Sequence, residues 1–403
     1  MSGAQTADQA RVDELVAQIR DFVETFIIPR ELPAGEPMND ALRIELQDAA
    51  KRAGVFAPQV AEEFGGIGVP FRQLSPVLQA AGYSPLGAVA LNAMAPDEGN
   101  MHLLTNVATA EQQERYLRPL AAGQIRSCFG MTEPHPGAGS DPAALRTTAT
   151  KVTGGWSISG EKRFISGADG AAFVIVMART EAEGGDGATM FLVDLDAPGI
   201  ALGRHVPTID RAIVGGHHHV RFDGCVVPDE AVLGGVGEGF QYAQVRLSPA
   251  RLTHCMRWLG LARRAFDIML DRAAERQVFG ERLEELGIAQ GLIADSAIDI
   301  DTADAMIDKA ARLLETDPRA GSTAASIAKV HCSEVIERVV DRAIQLCGGD
   351  GVSADLPLVS FRDEVRPFRI YDGPNETLRW AIARRASRSR SRVRTAAEEG
   401  DGA

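Results

Sequence analysis

The sequence predicts an α+β protein in which helical segments flank a β-rich middle. Apolar residues recur at spacings of three and four before about residue 125, and short β-rich runs punctuated by Gly and Asp fill roughly 127–235. Long Ala/Leu/Ile/Arg segments resume from about residue 236. The changes set the boundaries: a helical domain over 1–126, a β domain over 127–235, a helical bundle over 236–386 and a flexible tail over 387–403.

In chain order, Val12, Leu15, Val16, Ile19, Phe22, Val23, Phe26 and Ile27 mark one helical face that stops before Pro29. Residues 41–53 and 75–81 repeat the pattern, and 110–121 adds a helix with Glu111 in its first turn, where negative charge suits the helix dipole. TTATKVTGGWSISGEKRFIS, AAFVIVMART, TMFLVDLDA and HHHVRFDGCVV then read as strands, and EAEGGDGA at 181–188 as a Gly-rich hairpin loop. Residues 252–276 and 288–314 are long enough for bundle helices. The end, RRASRSRSRVRTAAEEGDGA, loses its apolar period and reads as frayed.

Composition narrows the function. The 403 residues, 45% hydrophobic and 24% charged, suffice for two or three packed units. With no apolar run of spanning length and no basic, then apolar, leader, the expected location is cytoplasmic. Cys128, Cys225, Cys255, Cys332 and Cys347 form no CxxC pair, which favours reduced thiols over a zinc ribbon or disulfide framework. A formal charge of −13 opposes non-specific binding to DNA or an anionic membrane, either of which needs a basic face. The His217-His218-His219 run looks like a metal cluster, but strand side chains alternate faces and no nearby Cys or carboxylate completes a site. A surface strand and no metal are expected there. Likewise, Arg384, Arg385, Arg388, Arg390, Arg392 and Arg394 read as a solvated helix end rather than a nucleic-acid arm.

Five segments carry more. CFGMTEPHPGAGSD (128–141) is stiffened by two prolines, and Gly137 and Gly139 expose backbone N–H groups suited to an anion. No Lys-Ser/Thr pair comes after it, so it is not a Walker loop. WSISGEKRFIS (156–166) alternates as a hairpin strand does, RQVFG (276–280) lies at a predicted helix end capped by Gly280, and QLCGGDG (345–351) ends an apolar helix. RIYDGPNETLRW (369–380) puts Asp372 before Gly373, a common turn pairing. Each alone is explained by ordinary local structure.

Together and in this order they resemble the acyl-CoA dehydrogenase family over almost the whole chain. MTEP followed by GAGSD is similar to its flavin-binding signature, with His135-Pro136 as an insertion. Phe164 and Ser166 stand where the family has Trp and Thr against the isoalloxazine, keeping a π-face and losing the indole N–H. The RxxFG and QxxGGxG patterns match segments that reach a neighbouring subunit's flavin, the Arg through its bidentate fork. The Gln that the family carries shortly after RxxFG has no match, since Gly287 falls nearest its place and Gln290 is displaced. The resemblance thus implies FAD, held by Phe129, Met131, Thr132, Phe164, Ser166, Arg276, Phe279, Gln345 and Gly349.

Asp372 aligns with the Glu of the family's IYEGTSEIQR loop, which removes the α-proton of an acyl thioester. Other members carry the base on the helix opening the C-terminal bundle, where this chain has Ala250, so Asp372 has no competitor. Ser140, Arg251, Gly373 and Arg384 match substrate-side positions. The subgroup with APDxGNM (95–101), RLxPxRxxHCMRxxG (246–260) and an Asp in the base loop is the nearest in pattern. The resemblance further implies a fold with an N-terminal helical domain, a central β-barrel-like domain and a C-terminal four-helix bundle, assembled as a homotetramer or homodimer. The implied reaction converts an acyl-CoA to its trans-2-enoyl-CoA, with hydride to flavin N5 and electrons to an electron-transfer flavoprotein or similar acceptor. The base is expected to have its pKa raised toward neutrality by burial. A flavin oxidase on this scaffold (acyl-CoA oxidase or nitroalkane oxidase-like) and a non-catalytic nucleic-acid-binding flavoprotein are the alternatives.

Overall fold

Helices occupy both ends of the chain and strands its middle. The computed structural model describes residues 3–181 and 187–400, with side chains described for 9–181 and 187–388. In the N-terminal part, α1 (Gly3–Phe22) runs into a π turn and a 3-10 turn over Ile28–Arg30, in which Pro29, lacking an N–H, takes an early position where no donor is needed. Next come α2 (Asp40–Arg52), opened by Asn39 accepting from the Leu42 N–H at 3.0 Å, α3 (Leu74–Ala81), α4 (Gly87–Ala90) and α5 (Asp97–Val107). The 110–121 stretch is α6 (Ala110–Gln112) and α7 (Arg118–Ala121), joined by a π turn and started by a Thr109–Gln112 capping box.

The middle holds β1 (Ser127–Gly130), β2 (Thr148–Val152), β3 (Gly155–Ser166), β4 (Phe173–Arg179), β5 (Ala188–Asp194), β6 (Ile200–His205), β7 (His217–Pro228) and β8 (Val232–Leu233). They form one sheet in the order β6-β7-β3-β2-β4-β5-β8, with β1 parallel to β4. Inward residues of β3 and β7 (Ile158, Val220, Phe222) share a core with those of β4 and β5 (Val174, Val176, Phe191), so the sheet wraps one interior, as the barrel-like expectation requires. β4 and β5 pair antiparallel up to Arg179 and Ala188, as a hairpin does. The tip of the 181–188 loop itself lies outside the described residues. The histidine run lies in β7 with alternating faces, but His218 is buried, because that face of the strand is covered and its ring packs on His205.

The C-terminal part comprises α8 (Gly239–Glu275), the short ribbon of β9 (Gln277–Val278) and β10 (Glu281–Arg282), α9 (Gly287–Thr316), α10 (Pro318–Cys347), α11 (Leu358–Val365) and α12 (Asn375–Gly400). One expectation changes here. RQVFG is not part of a helix: α8 stops at Glu275, and Phe279 and Gly280, at φ 55° and 90°, make a two-residue hairpin turn whose twist suits the paired strands. Residues 387–400 of the expected flexible tail continue α12, in keeping with the strong helix propensity of its Ala, Arg and Glu residues.

α8 runs through Pro249 and packs against α3, α5, α9 and α10. Its fully buried Met256, Leu259, Leu261 and Met269 each contribute about 1.5–3 kcal/mol. Where it crosses the end of α3 the backbones nearly touch. A Cβ on Gly82 would stand 2.0 Å from the Arg257 carbonyl oxygen, and one on Gly260 would stand 2.1 Å from that of Gln79. Only hydrogen fits, so this crossing sets how deeply the N-terminal helices seat on α8. Gly260→Ala should destabilise the protein by about 1–3 kcal/mol in urea unfolding, as overpacking against backbone that cannot yield.

Candidate active site

The loop from β1 to β2 is built around one carboxylate. Glu133 Oε1 accepts from Lys162 Nζ at 2.8 Å and from Thr147 N at 2.8 Å, while Oε2 accepts from Arg146 N at 2.7 Å and Ala138 N at 3.1 Å. Gly137 N donates to Pro134 O, and a Cβ at Gly137 would stand 2.4 Å from Glu133 Oε2. The Ala138, Arg146 and Thr147 N–H groups are thus spent on an internal anion, while the Gly137 N–H, one of the two that sequence suggested for an outside anion, goes to the Pro134 carbonyl. Burial favours the neutral acid, but the Lys162 charge and these donors outweigh it and bring Glu133 down to about 2. Burial likewise lowers Lys162 to about 8, despite Glu133, and the pair is ionised between those limits.

That loop lies against the end of β3. Arg163 N donates to Thr132 O and Lys162 Nζ to Met131 O, which puts Met131 and Thr132 beside Phe164 and Ser166. Phe164 is 44% exposed and holds φ 58°, a left-handed conformation that a bulky residue rarely adopts. Ser166 Oγ is 2.9 Å from His217 Nδ1, and His217 Nε2 is 3.0 Å from Asp210 Oδ2. Asp210, its pKa lowered because His217 and Thr208 outweigh burial, can only accept, so His217 Nε2 donates to it. Phe129 underlies the Arg246 guanidinium at 4.2 Å, and Arg246 Nε donates to Asn100 Oδ1.

Asp372 sits on the loop before α12 at φ 54°, a conformation that Asp tolerates better than most residues. Arg251 Nε, from α8, donates to its carbonyl at 2.8 Å; Lys329 Nζ, from α10, donates to the Gly373 carbonyl at 2.8 Å and to Asn375 Oδ1 at 2.9 Å. Trp258 Nε1 donates to Tyr371 Oη at 2.6 Å. The loop is therefore clamped between two helices. The Asp372 carboxylate, 15% exposed, has Oδ2 3.0 Å from His254 Nε2. The ring does not point its N–H squarely along that line, so Oδ2 lacks an aligned donor. Burial would raise the Asp372 pKa, but His254 and the charges of Arg246 and Arg251 prevail and hold it well below the usual carboxylate range. This corrects the expected rise toward neutrality: that expectation counts desolvation alone and omits the cations that tertiary packing delivers.

The remaining predicted contacts are elsewhere. Arg276, Gln345 and Gly349 are exposed, and Phe279 is 96% exposed at the tip of the β9–β10 turn. Arg272 pairs with Asp350, joining the ends of α8 and α10 where these residues cluster. Arg251 and Arg272 share one helix, and its rise separates them by about 30 Å. One chain therefore does not bring this group to the Asp372 end. Ser140 is exposed, and Arg384 is exposed with its guanidinium over Trp380. A cavity of about 690 Å³ lined by Arg115, Tyr116, Phe173 and Asp194 contains none of the predicted residues.

Comparison with known proteins bears on this geometry. Residues 9–124, 128–225 and 237–387 match the N-terminal, middle and C-terminal domains of acyl-CoA dehydrogenase. The chain belongs to the acyl-CoA dehydrogenase family. The probable acyl-CoA dehydrogenase FadE2 of Mycobacterium tuberculosis is 38% identical over 347 residues, covering 84% of each chain. Acyl-CoA dehydrogenase family member 10 of Mus musculus is 34% identical over 95% of this chain, which spans only 37% of that protein's length. The butyryl-CoA dehydrogenase structure of Megasphaera elsdenii superposes with a TM-score of 0.80 at 26% identity, covering 92% of this chain and 97% of that one.

An acyl-CoA dehydrogenase of this family implies a flavin, and the residues present fit one. Phe164 is 44% exposed with the Arg163 guanidinium over its ring at 4.6 Å, and Thr132 and Ser166 lie on the bonded segments beside it. Sequence reasoning missed Glu133, Lys162, Asp210, His217, His254 and Arg257. A signal existed for part of this set: Arg246, Arg251, His254 and Arg257 recur at helical spacing inside an otherwise apolar segment, the mark of a buried polar stripe.

Lys162→Met would leave the Glu133 carboxylate buried without its cation, and guanidinium unfolding should show a loss of about 3–5 kcal/mol. In the native protein the Glu133 contribution is fully present above its ordinary value of 4.5 and is lost as pH falls toward about 2, so acid titration of stability should decline through that window.

Proposed function

We propose that this protein is an FAD-dependent acyl-CoA dehydrogenase in which Asp372 removes the α-proton of the acyl thioester. The observation that carries this is the clamped, left-handed Asp372, its backbone fixed by Arg251 and Lys329 and its Oδ1 without a hydrogen-bond partner among the described residues. Strained backbone concentrates at working positions. Of the five non-glycine residues with positive φ among those described, Phe164, Phe279 and Asp372 all belong to the predicted site.

In this reading Phe129, Met131, Thr132, Phe164 and Ser166 would hold the isoalloxazine. Bound FAD supplies the acceptor for the β-hydrogen, which leaves with its electron pair. The protein's own residues do the rest. Asp372, kept ionised by His254, Arg246 and Arg251, receives the α-proton on its free oxygen, and the two C–H bonds lost become the 2,3-double bond of the enoyl thioester. Arg251 and Lys329 hold the loop so that this short side chain, about 1.5 Å less in reach than Glu, stays on target. Acyl-CoA would approach along Ser140, Gly373 and Arg384, and an electron-transfer flavoprotein or similar protein would serve as the electron acceptor.

Arg276, Phe279, Gln345 and Gly349 act on the flavin of a second copy, giving a homodimer or homotetramer. Their separation of about 30 Å from the Asp372 end supports this, as does the apolar surface at the same end of the bundle: Phe279, Ile288 and Val352 are 96%, 86% and 68% exposed.

Asp372→Asn keeps a residue suited to the left-handed conformation, so it should retain FAD and acyl-CoA binding. Anaerobic bleaching by the best acyl-CoA of a chain-length screen should slow by about two to four orders of magnitude; bleaching near the native rate would remove Asp372 as the base. Phe279→Ser should lower the assembled mass in light scattering and release FAD on gel filtration, whereas a flavin-replete native oligomer would oppose the shared site.

A further inference from the structure

We infer that His254 is a positioning residue for Asp372, holding Oδ2 so that Oδ1 is the oxygen presented to substrate; this rests on the reading of Asp372 as the base. The chain of contacts begins at Arg257. A guanidinium only donates, and Arg257 Nη2 lies 2.7 Å from His254 Nδ1, so that nitrogen is an acceptor and the ring proton is on Nε2. Arg257 is itself held in place. Its Nη1 donates to the Ala93 carbonyl at 2.9 Å and stands 3.7 Å from Glu98 Oε2, which accepts from Thr253 Oγ1 at 2.8 Å. The imidazole packs against the rings of Phe368 and Tyr371, at 5.6 and 4.8 Å between centroids.

His254 Nε2–H therefore faces Asp372 Oδ2 at 3.0 Å as a donor, and a small rotation of the carboxylate or ring aligns the bond. Catalytic hydrogen bonds are commonly loose before substrate binds and tighten in the complex. The arrangement serves both states of the base. As a carboxylate, Asp372 accepts the N–H on Oδ2 and offers Oδ1. After Oδ1 takes the α-proton, Oδ2 becomes the carbonyl oxygen and accepts the same N–H. The proton remains on Asp372, because Nε2 already carries hydrogen and the Nδ1 lone pair is occupied by Arg257. The dyad thus aims the base without relaying its proton.

The test uses FAD-loaded His254→Leu and His254→Gln alongside Asp372→Asn, with acyl-CoA-driven flavin bleaching followed anaerobically. The Gln amide reaches about as far as Nε2 and keeps an N–H donor; Leu fills the space without one. Expected for His254→Leu is a bleaching rate at saturating substrate lower by about 10–100-fold, with half-saturation within about threefold of native. FAD content should be unchanged, and His254→Gln should recover to within about fivefold of native. A native rate in His254→Leu, or equal impairment in Leu and Gln, would overturn the inference and leave His254 as packing. Should His254→Leu fail to retain FAD, His254→Asn replaces it: its amide can face Arg257 but falls short of Oδ2, and the same slow rate is expected. Bleaching by Asp372→Asn at the native rate would sink the base reading itself and this inference with it. A dead Asp372→Asn beside native His254 variants would sink the inference alone.

Discussion

Buried cations on α8 must find partners, and much of the molecule is arranged to supply them. Arg246, Arg251, Arg257 and Arg264 are all buried on this helix. An isolated charge in such surroundings is prohibitively costly. Each is met from a different part of the chain: Arg246 by Asn100, Arg257 by the Ala93 carbonyl and Glu98, Arg264 by Glu31 and the Tyr83 carbonyl, and Arg251 by the Asp372 carbonyl. The N-terminal helices and the loop before α12 are thereby registered on one rod. The glycine contacts at Gly82 and Gly260 let the backbones come close enough for that registration to hold.

The same cations set the chemistry around Asp372. A carboxylate buried alone would be neutral; next to His254, Arg246 and Arg251 it stays ionised. What stabilises the charge also lowers its basicity, so geometric aim matters more here than a raised pKa would allow. The β domain obeys a parallel logic. Glu133 and Lys162 compensate each other inside it, and the backbone N–H groups around Glu133 shape the loop that carries Met131 and Thr132 to Phe164. In both places an internal ion, once compensated, acts as a template for the backbone.

Much of this is legible in the chain itself. Helical periodicity locates α2 and α9 within a few residues, alternation locates β3 and β7, and motif wording singles out Asp372 and Phe164. Turn chemistry is harder. The RQVFG segment carries helix-forming neighbours, and only the positive φ of Phe279 with Gly280 turns it into a hairpin. The His run looks like surface because strand alternation says which side chains share a face, not which face is covered.

The sequence by itself determined the local periods, the order of helical and β segments, and the residues with distinctive side chains or turn preferences, since these depend on interactions spanning a few residues. Tertiary structure alone decided that Arg251 meets Asp372 across 121 positions, that His254 rather than backbone faces the Asp372 carboxylate, and that Glu133 consumes its own loop's N–H groups. The reason is that burial and Coulomb energy depend on distance in space. Which charge lies within a few ångströms of another is settled only when the helices pack.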